Sequence, residues 1–141
     1  MPERIEGMYK DIDWLGAVPF VIMMTAGVVT PFLFGVSWAW LAVVVGLYFG
    51  RMFFVTGILH RYFSHLTFQL SRLKQFLAGL VACTAVQQGP VWWAAHHRHH
   101  HKNSDTRNDV HSPILFGFWY SQVFWIFDRR NKAIRENHVR T

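Results

Sequence analysis

The chain divides into one long uncharged stretch and a polar, histidine-rich remainder. From Trp14 to Gly50 no Asp, Glu, Lys or Arg occurs in 37 consecutive residues. A helical crossing of a bilayer core needs about 20 apolar residues, so the stretch has room for two. Pro31 and Gly35 punctuate its middle, and Ser37 can act as the N-cap of a second helix. This predicts a first helix near residues 14–33 and a second near 37–59, joined by a very short loop. Leu66, Phe68 and Leu70 then alternate with Thr67, Gln69 and Ser71, a pattern that suits an extended or interfacial segment. Phe76–Val86 is uncharged over eleven residues. That is too short to span, so it is expected to lie in or dip into the membrane interface and to keep its two flanks on one side. The residue before a proline is pushed out of the helical region, so Gly89 ends that element and Pro90 opens a new helix, running through Lys102 to an Asn103-Ser104-Asp105 stop. Ile114–Phe127 is aromatic and too short to span, and residues 128–141 read as a polar, basic tail. The expected fold class is all-α and integral to a membrane, a two-helix transmembrane hairpin followed by cytoplasmic and interfacial helices over residues 60–127.

Composition agrees with a membrane setting. Of the 141 residues 52% are hydrophobic and 16% charged, which excludes a disordered tail or a solvated binding module. A net charge of +6 would suggest nucleic acid in a soluble protein. A mean hydropathy of +0.15 and seven tryptophans favour membrane lipids instead, with no nucleic-acid partner expected. The one cysteine, Cys83, cannot form an internal disulfide and reads as a small buried residue.

The charges are unevenly placed. Met1–Asp13 sets Glu3, Glu6, Asp11 and Asp13 against Arg4 and Lys10, which does not fit the basic start of a cleaved signal peptide. Eleven of the 14 Lys and Arg residues come after His60, and none lies in the short loop. The positive-inside rule therefore predicts a cytoplasmic-membrane protein whose N-terminus and histidines face the cytoplasm. Arg51 stands apart, about 13 Å from His60 along a helix. It is either partner-facing or snorkels toward the headgroups.

Eight of the nine histidines fall between His60 and His111, in two spacings. His60 and His65 form HxxxxH, and His97, His100 and His101 form HxxHH. With His97 at zero on a helical wheel, His100 lies at about −60° and His101 at about +40°, so the three share one face and can converge on a metal. His99, at about 200°, faces away, and His96 borders the cluster without joining it clearly. Trp93 sits about one turn earlier, where it can wall a substrate pocket. His60 and His65 are about 140° apart on an ideal helix, so they address two metals or require a local bulge. Imidazole ligands suit iron, zinc, copper or nickel, and the lack of thiolates argues against iron–sulfur or structural zinc. A headgroup-binding basic cluster is the plainer alternative.

These residues resemble the membrane fatty-acid desaturase family, and within it the bacterial-type acyl-CoA delta-9 desaturases. The likeness is carried by Arg51-Met52-Phe53, by Thr56-Gly57 with His60-Arg61-Tyr62-Phe63-Ser64-His65, and by Gly89-Pro90 with Trp92-Trp93-Ala94-Ala95. It continues through His97-Arg98-His99-His100-His101, Ser104-Asp105-Thr106, Asp109-Val110-His111-Ser112-Pro113 and Gly117-Phe118-Trp119-Tyr120-Ser121. The resemblance implies a membrane enzyme that uses two iron ions (Fe2+), dioxygen and two electrons to place a cis double bond in a fatty acyl chain. The substrate would be an acyl-CoA or an acyl-lipid, and the electron donor cytochrome b5-, ferredoxin- or rubredoxin-like. It implies His60, His65, His97, His100 and His101 as iron ligands and, more weakly, Trp93 as a substrate contact. Asp105 and Asp109 are candidates to orient the imidazoles. A related di-iron hydroxylase, or a non-catalytic metal-binding accessory protein, would share the boxes.

Two departures stand out. Gln122 occupies a place where relatives have histidine. The family also carries a third histidine box and a further ligand histidine after a second hairpin, and nothing past Phe127 matches them. The chain thus looks like the family's N-terminal half, expected to be inactive without a C-terminal half as partner.

Overall fold

The computed structural model describes residues 7–133, whose regular structure is helical, joined by turns and loops, with one isolated antiparallel bridge between Ile12 and Asp128. They form helix α1 (Trp14–Phe34), helix α2 (Trp38–Phe54), a π-helical segment (Val55–Ser64), and helices α3 (Arg72–Cys83), α4 (Pro90–Asn103), α5 (Pro113–Phe116) and α6 (Phe118–Gln122). Two short 3-10 turns, Phe124–Ile126 and Asn131–Ala133, complete them.

Two of these stretches are long and apolar enough to cross a membrane, Trp14–Phe34 and the continuous Trp38–Ser64. At about 1.5 Å per residue the first is about 31 Å long, matching a hydrocarbon core of about 30 Å. Up to Phe53 their side chains are almost all exposed, including Val21, Ile22, Phe32, Trp38, Leu47 and Phe53, as lipid-facing helices require. Asp13 caps α1 by accepting from the Gly16 amide at 3.0 Å. The helix runs past Pro31, and the chain turns at Gly35, whose φ of 73° is open to glycine at little cost. Arg51 lies in the last turn of α2 and is exposed.

The described residues group into two compact units. In the first, residues 7–38 with 102–133, the N-terminal segment pairs with the chain's later part. Asp13 N–H donates to the Phe127 carbonyl at 2.8 Å and Arg129 N–H to that of Asp11 at 3.0 Å. Ile12, Phe116 and Tyr120 form its apolar centre, bordered by Met8, Leu115, Phe124, Trp125 and Phe127. Asp128 is fully buried there. It accepts from the Tyr120 hydroxyl at 2.5 Å and from Arg130 Nη2 at 2.6 Å and Nε at 3.0 Å. Burial by itself would raise the Asp128 pKa, yet these donors hold it below the usual carboxylate range. Burial and the same carboxylate push the Tyr120 hydroxyl up to about 12. The stretch expected to start a solvated tail at 128 is therefore structural at its beginning, because Asp128 and Asn131 find hydrogen-bond partners in place of water. Residues 134–141 lie outside those described.

In the second unit, residues 39–101, α3 packs on the π-helical segment. Gly79 is buried, and a Cβ there would lie 3.5 Å from the Phe63 ring and 3.6 Å from Pro90. Leu59, Ala82, Ala94 and Ala95 are likewise buried. The opposite side of α3 exposes Leu73, Phe76, Leu77 and Leu80, in keeping with a helix lying in the interface. Cys83 is exposed, contrary to the expectation of a small core residue, because it falls in the last turn of α3 beside the exposed Thr84.

Candidate metal centre

Four histidines from two elements come together in the second unit. His60 and His65 come from the end of the membrane-length helix, and His97 and His101 from α4. One ring nitrogen of each lies within 4.8 Å of the others. His65 Nε2 is 3.2 Å from His60 Nε2 and 3.2 Å from His97 Nε2.

The π-helical segment explains how His60 and His65 meet. Five residues apart, they would point well away from each other on an α-helix. In a π-helix the bonding runs from i to i+5 and stacks such residues on one face. Here the His65 amide donates to the His60 carbonyl at 3.1 Å, and the Ser64 hydroxyl reaches the Leu59 carbonyl at 2.8 Å. Of the two possibilities open from spacing alone, two separate metals or a local bulge, the chain adopts the second geometry. Thr56 and Gly57, both poor α-helix formers, lie in the same segment. Two residues past the segment's end, Leu66 lies in the left-handed region at φ 53°. Such strain in a leucine clusters at functional sites.

On α4, His97 and His101 are one turn apart and both face the group. His100 does not join it, and its ring centroid is 6.0 Å from that of His101. The helical face of about 100° assigned to His97, His100 and His101 is thus used on the His101 side. His99 is also outside the group of four. His96 is buried with its Nδ1 2.8 Å from the Trp92 carbonyl and its ring stacked on Trp92 at 3.9 Å, a packing arrangement on another side of α4. Trp93 stacks on His97 at 4.6 Å and meets His60 edge-on at 6.2 Å, so its indole covers one side of the imidazoles. Asp105 and Asp109 serve their own loop in the first unit. Asp109 accepts from the Asp105 amide at 2.9 Å and the His111 amide at 3.2 Å, and Asp105 accepts from the Ser112 hydroxyl at 2.7 Å. Gln122 is exposed at the end of α6.

The donor set fits a metal ion. A metal–imidazole distance of about 2.1 Å places neighbouring tetrahedral ligands about 3.4 Å apart, close to the 3.2 Å spacings observed. His97 is also kept unprotonated. Burial, reinforced by His101, His60, His65 and His100 around it, lowers its pKa to about 3. A neutral ring keeps a lone pair for a cation.

This sets a pH dependence. Between about 6.5 and about 3 the unfolded His97 binds a proton that the folded one refuses. Stability from this group is complete above 6.5 and is lost as pH falls toward 3. Thermal unfolding of the metal-free chain at stepped pH is expected to show a falling midpoint below pH 6.5, and a flat profile from pH 7 to 4 would contradict the burial of His97.

One residue that spacing did not single out is Arg98. It lies between His97 and His99, and its guanidinium reaches the carbonyls of Ser64 at 2.6 Å and Phe63 at 2.8 Å. Its role depends on which helix end lies opposite, and nothing in the local pattern reveals that.

The chain matches the fatty acid desaturase family over residues 38–138. It is 37% identical over 100 residues to an acyl-CoA 5-desaturase of Anemone leveillei, covering 71% of this chain and 30% of that protein. To the chloroplastic palmitoyl-monogalactosyldiacylglycerol delta-7 desaturase of Arabidopsis thaliana it is 37% identical over 130 residues, 87% of this chain and 33% of the relative. To the sn-2 palmitoyl-lipid 9-desaturase of Nostoc sp. (strain 36) it is 31% identical over 128 residues, 89% of this chain and 43% of the relative. The chain therefore spans less than half the length of these curated relatives. No solved structure matches it. With the family match covering most of its length, including both histidine boxes, the chain belongs to the membrane fatty-acid desaturase family.

Proposed function

We propose that this chain supplies part of the iron site of an enzyme that places a cis double bond in a fatty acyl chain carried on coenzyme A or a membrane lipid. The observation that carries this reading is the gathering of His60, His65, His97 and His101 at the end of a membrane-length helix. In this reading those four hold one iron, and His100, beside His101 on α4, belongs to a second. The relatives' names support an acyl substrate and include both carriers.

The reaction removes two hydrogens from adjacent methylenes, and dioxygen with two electrons and two protons becomes two waters. Iron, when bound, supplies the oxidising chemistry that an unactivated methylene demands. The chain's own residues do the rest. The four imidazoles fix the metal's place, and His97, held neutral, needs no deprotonation before it binds. Trp93 covers one side of the imidazoles and excludes water there. His60 lies in the last turns of a helix of bilayer length, which supports a site within reach of a lipid-embedded acyl chain. Positioning along that path selects the carbons oxidised. The electrons would come from a cytochrome b5-, ferredoxin- or rubredoxin-like donor. The cluster of basic residues after His60 supports a cytoplasmic placement of the N-terminus and the histidine boxes.

With four box histidines on one iron and His100 alone on the second, the second iron lacks most of its ligands, so the 141 residues alone are expected to give no product. The test is expression in a host lacking desaturases, alone and together with the C-terminal half of a relative, and then mass spectrometry of the acyl chains. Acyl chains lighter by two hydrogens in the paired strain only are expected. A gain of one oxygen, or no change in either strain, would overturn the proposal.

A further inference from the structure

We infer that Arg98 is the clamp that holds His65 in register with the other three imidazoles. The end of any helix leaves carbonyls without intrahelical donors, and the last two of the π-helical segment, on Phe63 and Ser64, are those that Arg98 takes. Nη2 donates to the Phe63 carbonyl at 2.8 Å and Nε to that of Ser64 at 2.6 Å. A guanidinium suits this place twice over. Its fixed fork meets two neighbouring oxygens at once, and its positive charge lies at the negative end of a helix.

Arg98 stands on the helix that carries His97 and His101, while the carbonyls it binds immediately precede His65. One side chain thus ties the two ligand-bearing elements together. Sliding or unwinding either element breaks two charge-assisted hydrogen bonds. The π-helical turn needs such a hold, since its exit runs through Leu66 in a strained left-handed conformation. The Ser64 hydroxyl binds the Leu59 carbonyl within the segment, so it makes no tie to α4. In this role Arg98 is a positioning residue. Its meaning for the metal rests on the proposed iron site, whereas the clamp itself does not.

The test uses the full chain in detergent micelles and reads two quantities. Amide hydrogen exchange over residues 60–67 monitors the clamp without metal, because the amides of His65, Leu66 and Thr67 donate to the carbonyls of His60, Tyr62 and Arg61. Uptake of Co2+, read from its visible spectrum, reports the ligand geometry. Arg98→Gln is expected to speed exchange over 60–67 about tenfold, to leave helix α3 unchanged, and to weaken Co2+ binding about tenfold. Arg98→Lys, which keeps the charge but not the fork, should fall between. Lys102→Gln, which removes an exposed positive charge from the same helix, should match the parent. If Arg98→Gln does not fold, Arg98→Lys carries the test with an expected threefold change. Unchanged exchange over 60–67, or equal acceleration throughout the chain, overturns the clamp. Faster exchange in a chain whose parent takes up no Co2+ upholds the clamp and overturns the metal reading instead.

Discussion

His97→Ala is expected to lower the affinity of the chain for Co2+ or Fe2+ by about a hundredfold or more, at least as large as the loss on removing groups that merely support a ligand. His97 is central in two ways. Its Nε2 lies 3.2 Å from that of His65, and its ring is stacked against Trp93. Removing it takes away one of four donors and uncovers the indole that shields the others. His99→Ala, on the same helix and outside the group, is expected to leave affinity within about twofold of the parent, an effect below the usual supporting-group range. Titration monitored by the Co2+ spectrum checks both. Equal loss in the two variants would mean that the segment binds metal as a loose histidine run and not through the arrangement described.

Asp128→Ala is expected to destabilise the first unit by about 3 kcal/mol, as breaking a buried ion pair from one side does. The carboxylate is fully buried. It satisfies the Tyr120 hydroxyl and the Arg130 guanidinium together. Without it the buried Tyr120 hydroxyl loses this acceptor, and the partly exposed Arg130 guanidinium falls back on Asp11 at 3.4 Å. The N-terminal segment should loosen as well, since the bridge to Ile12 is made at residue 128. Trypsin is expected to cut after Lys10 faster in this variant, alongside a lower thermal midpoint. Lys132→Ala gives the contrast. Its ion pair with Asp13 at 2.7 Å is exposed to solvent, and such pairs contribute about 0–1 kcal/mol. Equal stability of the two variants would contradict the buried role of Asp128.

Much of the architecture was legible from patterning. The absence of charge from Trp14 to Gly50 located α1 and the start of α2, because a run of that length has one physical explanation in helices that face lipid. Pro90 marked the start of α4 to the residue, since proline fits the first helical position and disfavours helix before it. Boundaries set by hydrophobicity alone were less sharp. The second membrane helix continues through Ser64 as a π-helix, past the end near 59 that composition suggested.

At the site, wheel geometry placed His97 and His101 on one face of α4, as the structure does. It also put His100 with them, because a wheel gives the width of a face and not the direction from which partners arrive. The partners are His60 and His65, on the side nearer His101. The HxxxxH spacing raised the possibility of a bulge. Whether the backbone adopts it depends on the tertiary tie from Arg98 to the Phe63 and Ser64 carbonyls, which local sequence does not encode. Asp105 and Asp109 were candidates by sequence proximity, and their carboxylates hold the turns of their own loop, a use that proximity does not reveal. The burial of Asp128 and Asn131 was hidden because a polar stretch near the chain's end reads as solvated until its partners, Tyr120 and Arg130 among them, are known.

Iron K-edge X-ray absorption of the iron-loaded chain tests the account most directly. The central claim is that the four imidazoles of His60, His65, His97 and His101 hold one metal ion. The account predicts a first shell dominated by nitrogen at about 2.1 Å, the range of metal–imidazole bonds, with the outer-shell scattering of imidazole rings. That signal should diminish in both His65→Ala and His97→Ala. A shell of oxygen alone without imidazole scattering, or a spectrum unaltered by either substitution, would contradict it.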